Sequence, residues 1–322
     1  MATRKRIIYQ SQAVEVATTD GVLNSSVPGV QSANYGIDVS REDVNQFGVL
    51  GAYNRVIMEA PTASAEFSCY VNAIPPNGLT SLIDEAVSGK NATVRFNIGA
   101  EGQDYATAGT NETVTLTSGS MTSFSAEASV GAVPTMTFGF EGTDLNYTYN
   151  AVSPPASTGC DVAVQQDVLV EFGTGVVGYS GAGGATPSGH MAYCQSANLS
   201  FDLGLEALAD LGDANAPFLY ARVPSYPASA SLTVEALAID KGMSMVIGSL
   251  KQKASASTDG ATDGGFVNVN VKMGQTKFRL INATLDSVNF TSSLGDNATC
   301  DATFGCSIGG ALSTSKLTVV QS

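Results

Sequence analysis

The chain has 322 residues, a length that suits two domains of about 150 residues or one large β domain. Charged residues make up only 14% of it and hydrophobic residues 43%, which excludes an intrinsically disordered chain. Its net charge of −14 excludes binding to nucleic acid or to anionic lipid through overall electrostatic attraction.

The chain begins with a basic segment that contains Arg4, Lys5 and Arg6. The apolar run that follows stops after Tyr9 and is too short for the core of a signal peptide. No apolar stretch approaches the roughly 18 residues that a membrane-spanning helix needs. We therefore expect a soluble protein made in the cytoplasm, with no membrane partner. The basic segment is interpreted either as an interaction arm or as a disordered terminus.

Most of the remaining chain has the alternating pattern of half-buried strands. In the segment 63–73, for example, Phe67 and Cys69 alternate with Glu66 and Ser68. Gly, Pro and Asn separate such segments along the whole chain. One helix interrupts them, because apolar residues recur at helical spacing over 79–87, after Pro75 and Pro76. A second helix is expected over 242–253.

The middle of the chain holds two motifs that suggest chemistry, and the sequence context argues against both. The glycines of 173–178 match GxGxxG, but a Gly-rich loop follows where a dinucleotide site requires a helix. His190 is the single histidine and lies in that loop, so a metal site or a Ser-His-Asp triad would have to be built around this residue alone. A flexible loop holds catalytic groups poorly, which favours a surface position for His190.

The other reactive residue types also lack the spacing of a site. Five cysteines occur without CxxC spacing, which favours a reduced protein over a disulfide framework or a zinc site. No paired carboxylates indicate acid–base chemistry. We therefore expect a protein that is not an enzyme, with no catalytic residues, no bound metal and no cofactor. A β-sandwich hydrolase stays open as a minor alternative, since a fold does not dictate a function.

Three blocks of sequence occur twice, in the same order. QSAN at 31–34 recurs at 195–198, and the Tyr-x-Arg-Val segment at 53–56 recurs at 220–223. The segment from Met121 resembles that from Leu285, with Phe138 matched to Phe304 after a two-residue difference in the intervening loop. The sequence therefore predicts an internal duplication.

The predicted fold is all-β with one short helix per repeat, arranged as two tandem β-sandwich or barrel domains. We expect residues 1–30 to form an N-terminal arm and first strand, and 31–150 to form the first domain. Residues 151–194 would form a linker, a Gly-rich loop and the opening strand of the second domain. The second domain would span 195–313, and 314–322 would be a C-terminal tail.

Negative charge is concentrated between Arg95 and Arg222, where the chain has no Lys or Arg and carries 13 acids. A solvated face that keeps the protein soluble is one interpretation, and a surface that must not retain a polyanion is the other. The candidate residues for such a surface are Glu101, Asp104, Glu112, Glu127, Glu141, Asp144, Asp161, Asp167, Glu171, Asp202, Glu206, Asp210 and Asp213.

The segment from Met121 to Gly142, two strands joined by a Gly turn and a Val-Pro-Thr step, resembles the closing hairpin of phage tail tube proteins. The segment from Gln31 to Val71 is similar to the opening of the same tube domain. The resemblance implies β-sandwiches whose inner strands join those of neighbours into rings, and rings that stack into a negatively charged conduit through which DNA is ejected without specific binding. The family's usual ring holds six single-domain chains, so two copies per chain predict three chains in a pseudo-hexameric ring.

On this interpretation the protein belongs to the virion tail, and its partners are itself, the tape measure protein, the tail terminator and the baseplate or tip. Arg4, Lys5 and Arg6 would contact the adjacent ring. Two alternatives stay open: a tandem β-sandwich adhesin or decoration protein that is secreted or on the virion surface, and a six-chain ring in which the second copy is an outer domain.

Overall fold

The computed structural model describes residues 12–18, 26–57, 61–72, 82–83, 86, 89–99, 111–151, 159–172, 189–190, 194–208, 221–224, 228–237, 267–308 and 316–321. Within these residues the chain is almost entirely antiparallel β-strand, which confirms the predicted fold class. The strands of the first half are β1 (Gln12–Thr18), β2 (Val30–Asp38), β3 (Arg41–Asn45), β4 (Ala52–Ile57), β5 (Thr62–Tyr70), β6 (Ala92–Ile98), β7 (Asn111–Ser129), β8 (Thr135–Gly142) and β9 (Leu145–Ala151).

The second half begins with a 3-10 turn at Gln165–Asp167. Its strands are β10 (Val168–Phe172), β11 (Gly189–His190), β12 (Cys194–Asp202), β13 (Leu205–Leu208), β14 (Ala221–Pro224), β15 (Ala228–Leu237), β16 (Val267–Met273), β17 (Thr276–Thr291), β18 (Thr299–Ile308) and β19 (Lys316–Gln321). β19 lies in the segment expected to be a C-terminal tail and pairs with β17.

The helix predicted over 79–87 is present at the positions that the structure describes. Leu82, Ile83 and Ala86 are helical and buried, as their spacing predicts. They belong to the same hydrophobic core as the strands. The second predicted helix, over 242–253, lies outside the described residues, as do the GxGxxG motif and the basic segment at Arg4 to Arg6.

A continuous sheet runs through both halves of the molecule in the order β2-β5-β8-β7-β12-β15-β18-β17. Side chains alternate across it, so that one face is apolar and buried and the other is polar. On β15, for example, Leu232 and Val234 are buried while Ser231 and Thr233 are exposed. The alternation predicted for the first half therefore extends across eight strands.

The second layer is built from the first parts of the two longest strands. The part of β7 before Ser118 pairs with β6 and β9, and the part after it pairs with β8 and β12. β17 is divided in the same way at Asn282: its first part pairs with β16 and β19, and its second part pairs with β18. Ser118 and Asn282 both have φ 54°, a left-handed conformation that bends a strand and lets it pass from one layer to another. β1 and β10 extend the two parts of this layer by pairing with β6 and β16.

The two halves share one hydrophobic core. Phe124 on β7 lies 5.2 Å from Phe138 of its own half, measured between ring centroids. It also lies 5.3 Å from Phe201 and 5.7 Å from Phe278, which belong to the second half. The two halves therefore meet in a packed junction among the residues that the structure describes.

Irregular features recur in the two halves at a constant spacing of 164 residues. The bulge of the β2–β5 pair between Val30 and Ser32 recurs in the β12–β15 pair between Cys194 and Ser196. The bulge at Met121 and Ser123 recurs at Leu285 and Ser287, and the left-handed Ser118 recurs at Asn282. A duplication would produce these correspondences, and the duplication itself stays a prediction.

The strand register corrects one part of the sequence alignment. Glu127 pairs with Thr135 and Thr291 pairs with Thr299, so the two hairpins have loops of equal length. The two-residue difference expected in this loop is therefore wrong. Phe304 lies opposite Leu285 as Phe140 lies opposite Met121, so its counterpart is Phe140 and not Phe138. The error arose because both strands contain a Phe-Gly pair, in different registers.

Candidate functional site

The junction between the halves is a pair of strands, β7 and β12, in antiparallel register. Phe124 lies opposite Phe201, and Ala126 lies opposite Leu199. All four side chains are buried. The last strand of the first four-strand unit, β2-β5-β8-β7, therefore joins the first strand of the second, β12-β15-β18-β17, without a gap.

At one end of the continuous sheet, β2 pairs with β5, and its other edge has no partner strand within the described part of the chain. β2 is the counterpart of β12, and its residues Tyr35 and Ile37 correspond to Leu199 and Phe201. Tyr35 is 44% exposed and Ile37 is 47% exposed, whereas their counterparts in the junction are buried. The ring of Tyr35 packs on Phe96 at 4.9 Å between centroids.

At the other end of the sheet, the residues 284–291 of β17 pair with β18 alone among the strands that the structure describes. This segment corresponds to the part of β7 that pairs with β12. Phe290, the counterpart of the buried Ala126, is 66% exposed. The sheet thus ends in two open edges, one on β2 and one on β17. The counterparts of these edges, on β12 and β7, pair with each other inside the same chain.

The polar face of the eight-strand sheet carries acids and no Lys or Arg among the described residues that form it, which on β17 are the residues 284–291 only. On alternate positions of these strands lie Asp38, Glu66, Glu127, Glu141, Asp202, Glu235 and Asp301. Between them are hydroxyl side chains, such as Ser32 and Ser68, whose Oγ atoms are 2.6 Å apart. This face is anionic throughout and contains no charge that would pair with a phosphate.

Glu235 and Asp301 lie directly opposite each other on β15 and β18. Like charges in such a pair destabilise a sheet by up to about 1 kcal/mol. The presence of two carboxylates here reduces the stability of the sheet. This cost indicates a requirement for negative charge on this face. Asp286 adds a further acid, because its carboxylate lies over Gly305 on the same side of the sheet.

The structure divides the acids that the sequence nominated. Glu127, Glu141 and Asp202 lie on the polar face of the sheet. The other described acids lie away from this face. Glu112 lies beside Tyr147, Asp167 lies in the 3-10 turn, and Glu171 forms an ion pair with Lys277 at 2.7 Å. Exposed turns or strands contain Asp144, Asp161 and Glu206. Glu101, Asp104, Asp210 and Asp213 lie outside the described residues.

Charge counting along the chain missed the acids of the polar face that lie outside the segment 95–222: Asp38, Glu66, Glu235, Asp286 and Asp301. The signal that would have found them is strand parity, because each lies at an alternate or bulge position of a strand segment that contains no basic residue. The missed residues outnumber the predicted residues on this face.

A hairpin formed by β3 and β4 projects away from the core. All its described side chains are exposed, and Phe47 and Leu50 at its tip are fully so. An ion pair between Arg55 and Asp43 joins its two strands. Exposed apolar side chains at a hairpin tip indicate a contact with another molecule. β13 and β14 form the corresponding hairpin in the second half.

The cysteines are all free, and burial raises the thiol pKa of Cys69, Cys160, Cys194 and Cys300. Burial, and secondarily the neighbouring thiol of Cys160, raises the pKa of Cys69 to about 12. Burial also raises the pKa of Cys194 to about 11. Within the described residues no three His, Cys, Asp or Glu side chains form a group that could hold a metal ion. In the same part of the chain, no helix is both long and apolar enough to cross a membrane.

Comparison with known proteins identified similar solved structures only. No protein-family model and no curated protein sequence matches the chain. A chain from the tail of an empty gene transfer agent particle, determined with helical refinement and C6 symmetry, has 12% sequence identity and a TM-score of 0.32, and the match covers 49% of this chain and 96% of that chain. A chain from the virion of a native gene transfer agent particle has 12% identity and a TM-score of 0.31, covering 48% of this chain and 96% of the other.

Proposed function

We propose that this protein is a structural virion protein whose copies assemble into stacked rings that form the tube of a phage tail. The observation that carries the proposal is the buried β7–β12 junction together with the two open edges, β2 and β17. A surface that is complementary to a different surface of an identical molecule makes head-to-tail contacts, which generate closed rings when the rotation between copies closes.

Three chains would complete such a ring. Each chain supplies two four-strand units that are already joined edge to edge, so three chains present six units. The central barrel would then contain twenty-four strands, eight from each chain. Closing the barrel would cover every edge, including the exposed Tyr35, Ile37 and Phe290, and an uncovered edge is an aggregation hazard.

The polar face of the sheet would line the tube. The second layer of strands and the helix already cover the apolar face, so the polar face is the side of the barrel that remains open. Its acids, including Glu127, Glu141 and Asp202, would repel a phosphate backbone, and it has no Lys or Arg that could release counterions from DNA. DNA would therefore pass along this surface without being held.

Contacts between rings would come from the hairpin at β3 and β4 and from the basic arm at Arg4, Lys5 and Arg6. The tip residues Phe47 and Leu50 are fully exposed in the single chain and would be buried against the next ring. At its ends the tube would contact the tape measure protein, the terminator and the baseplate or tip. Assembly would take place in the host cytoplasm.

A charge on one open edge tests the proposal. Ile37→Lys should prevent ring formation, because the ring would bury an unpaired ammonium between two strands. Val133→Lys is the matched control, since Val133 is 45% exposed and lies in the turn after β7, away from both edges. Sedimentation velocity should show oligomers for the parent and for Val133→Lys, and single chains for Ile37→Lys.

Two outcomes would contradict the proposal. Oligomers of Ile37→Lys indistinguishable from those of the parent would show that the β2 edge is not an assembly surface. A parent chain that stays monomeric at high concentration would favour the adhesin or decoration protein, whose tandem sandwiches need no partner copy.

A further inference from the structure

We infer that β17 of one chain pairs with β2 of the next in a single register, with Phe290 opposite Tyr35 and Val288 opposite Ile37. This inference deepens the proposed function by specifying the partner surface, and it rests on that function. The occupant of each open edge is a second copy of this chain.

The register is read from the junction inside the chain. There, Ala126 lies opposite Leu199, and Phe124 lies opposite Phe201. The counterpart of each β7 residue lies 164 residues later in β17, and the counterpart of each β12 residue lies 164 residues earlier in β2, as their shared bulges show. Transferring the internal pairs in this way places Phe290 against Tyr35.

The side chains at the two edges support this register. Tyr35, Ile37 and Phe290 are exposed apolar side chains on the same face as the buried pairs of the junction. A slip of one residue would turn all of them to the polar face of the partner strand. In the inferred register an aromatic pair and an aliphatic pair face each other, both of which stabilise antiparallel strands.

The two edges also lack the features with which proteins protect exposed strands. The residues 32–38 and 287–291 contain no Lys, no Arg and no Pro, the residues that usually block edge-to-edge pairing. The bulges that begin these segments, at Ser32 and Ser287, are also present at the β12 and β7 sides of the junction, where they accompany uninterrupted pairing.

Engineered disulfides test the register, in a Cys160→Ser background that removes the exposed native thiol. Two in-register double variants are Tyr35→Cys/Phe290→Cys and Gly36→Cys/Asn289→Cys. Consecutive antiparallel pairs alternate between Cα separations of about 5.5 and about 4.5 Å, and disulfides span both, so the two adjacent pairs test both geometries. Gly36 accepts a side chain, because an added Cβ would have Ser64 Oγ as its nearest neighbour, at 3.8 Å.

The off-register controls are Tyr35→Cys/Val288→Cys and Gly36→Cys/Ser287→Cys, whose residues would be diagonal neighbours about 7–8 Å apart. A Ser125→Cys/Ser200→Cys variant reproduces the Gly36–Asn289 position inside one chain and should form an intramolecular disulfide if the geometry of that position permits one. Oxidation is followed on non-reducing gels.

We expect at least one in-register variant to form covalent oligomers that stop at three chains, while the off-register variants remain single chains. Cross-linking of an off-register variant, or of neither in-register variant, would overturn the register. An in-register ladder that stops at six chains or continues without limit would support the register and overturn the three-chain ring. Rings seen by electron microscopy without in-register cross-links would support the ring and overturn the register.

Discussion

At the residue scale, buried carboxylates show how the same position is stabilised differently in the two halves. Glu15 on β1 is fully buried and accepts hydrogen bonds from Arg95 Nε and from Asn97 Nδ2, the latter at 2.6 Å. Glu171 occupies the corresponding position on β10 but pairs with Lys277 from β17. A carboxylate removed from water requires a partner, which comes from the adjacent strand β6 for Glu15 and from β17, two strands away, for Glu171.

The raised pKa of Cys69 predicts a loss of stability in alkali. Because its folded pKa of about 12 exceeds the ordinary value of 9.0, the stabilisation is complete below pH 9 and is lost as the pH rises towards 12. Between pH 9 and pH 10.5, Cys69→Ala should lose about 2 kcal/mol less of its unfolding free energy than the parent. Urea titrations at the two pH values measure this difference.

The neighbouring substitution Ser68→Ala is the control, since it removes no thiol and should retain the alkaline slope of the parent. An equal slope in Cys69→Ala and the parent would contradict the account of this thiol.

Residues on strands were the part of the molecule that the sequence predicted best. The alternation around Phe67 and Cys69 follows from the two-residue period of a strand, which needs no knowledge of what the strand pairs with. The acids of the polar face were predicted poorly, because Glu66 and Glu127 lie on one face only as a result of the strand order. The number of residues between two acids along the chain does not indicate the order of their strands in the sheet.

At the element scale, the projecting hairpin of β3 and β4 offers a test of ring stacking that is separate from the proposed formation of rings. Phe47→Ser/Leu50→Ser should leave rings intact and shorten the tubes, because the two side chains are exposed within the chain and would be buried only between rings. Arg4, Lys5 and Arg6 changed together to Ser should have a similar but weaker effect, since exposed ion pairs contribute little. Tube length in negative stain measures both.

Val164→Ser serves as the matched control for the hairpin variant, since Val164 is 46% exposed and lies outside the hairpin. Tubes of unchanged length in the hairpin variant would show that stacking depends on other segments. The exposed position of this hairpin could not be predicted from the sequence, because Phe47 and Leu50 are residue types that are common in buried core strands.

The long strands β7 and β17 explain how the two predicted units share a hydrophobic core among the described residues. Each contributes to both layers, and β7 also forms the junction with β12. Strand periodicity is local and cannot show that a strand changes layers at Ser118 or Asn282. The bulges mark where each strand changes layers, and the sequence alone does not show where the bulges lie.

At the scale of the whole molecule, the anionic face predicts how the proposed tube would respond to a reversed charge. Glu66→Lys/Glu127→Lys/Asp202→Lys should retain double-stranded DNA at low salt, because the ammonium groups would release counterions from the phosphates. Retention should fall steeply as salt is raised. Filter binding of assembled tubes to DNA measures the effect.

The same charge change placed elsewhere is the control. Asp144→Lys/Asp161→Lys/Asp296→Lys alters three exposed acids in turns and loops outside the sheet face. Tubes carrying these substitutions should bind less DNA than the face variant. Equal retention by both variants would show that net charge, and not the sheet face, governs the contact with DNA.

The central feature of the proposed assembly is a ring of three chains closed through their open sheet edges. End-on views of the purified protein in negative-stain electron microscopy test it directly. We predict stain-filled rings whose averages have three-fold symmetry close to six-fold, because each chain supplies two similar but unequal units. Rings of six whole chains, or isolated particles at high concentration, would contradict it.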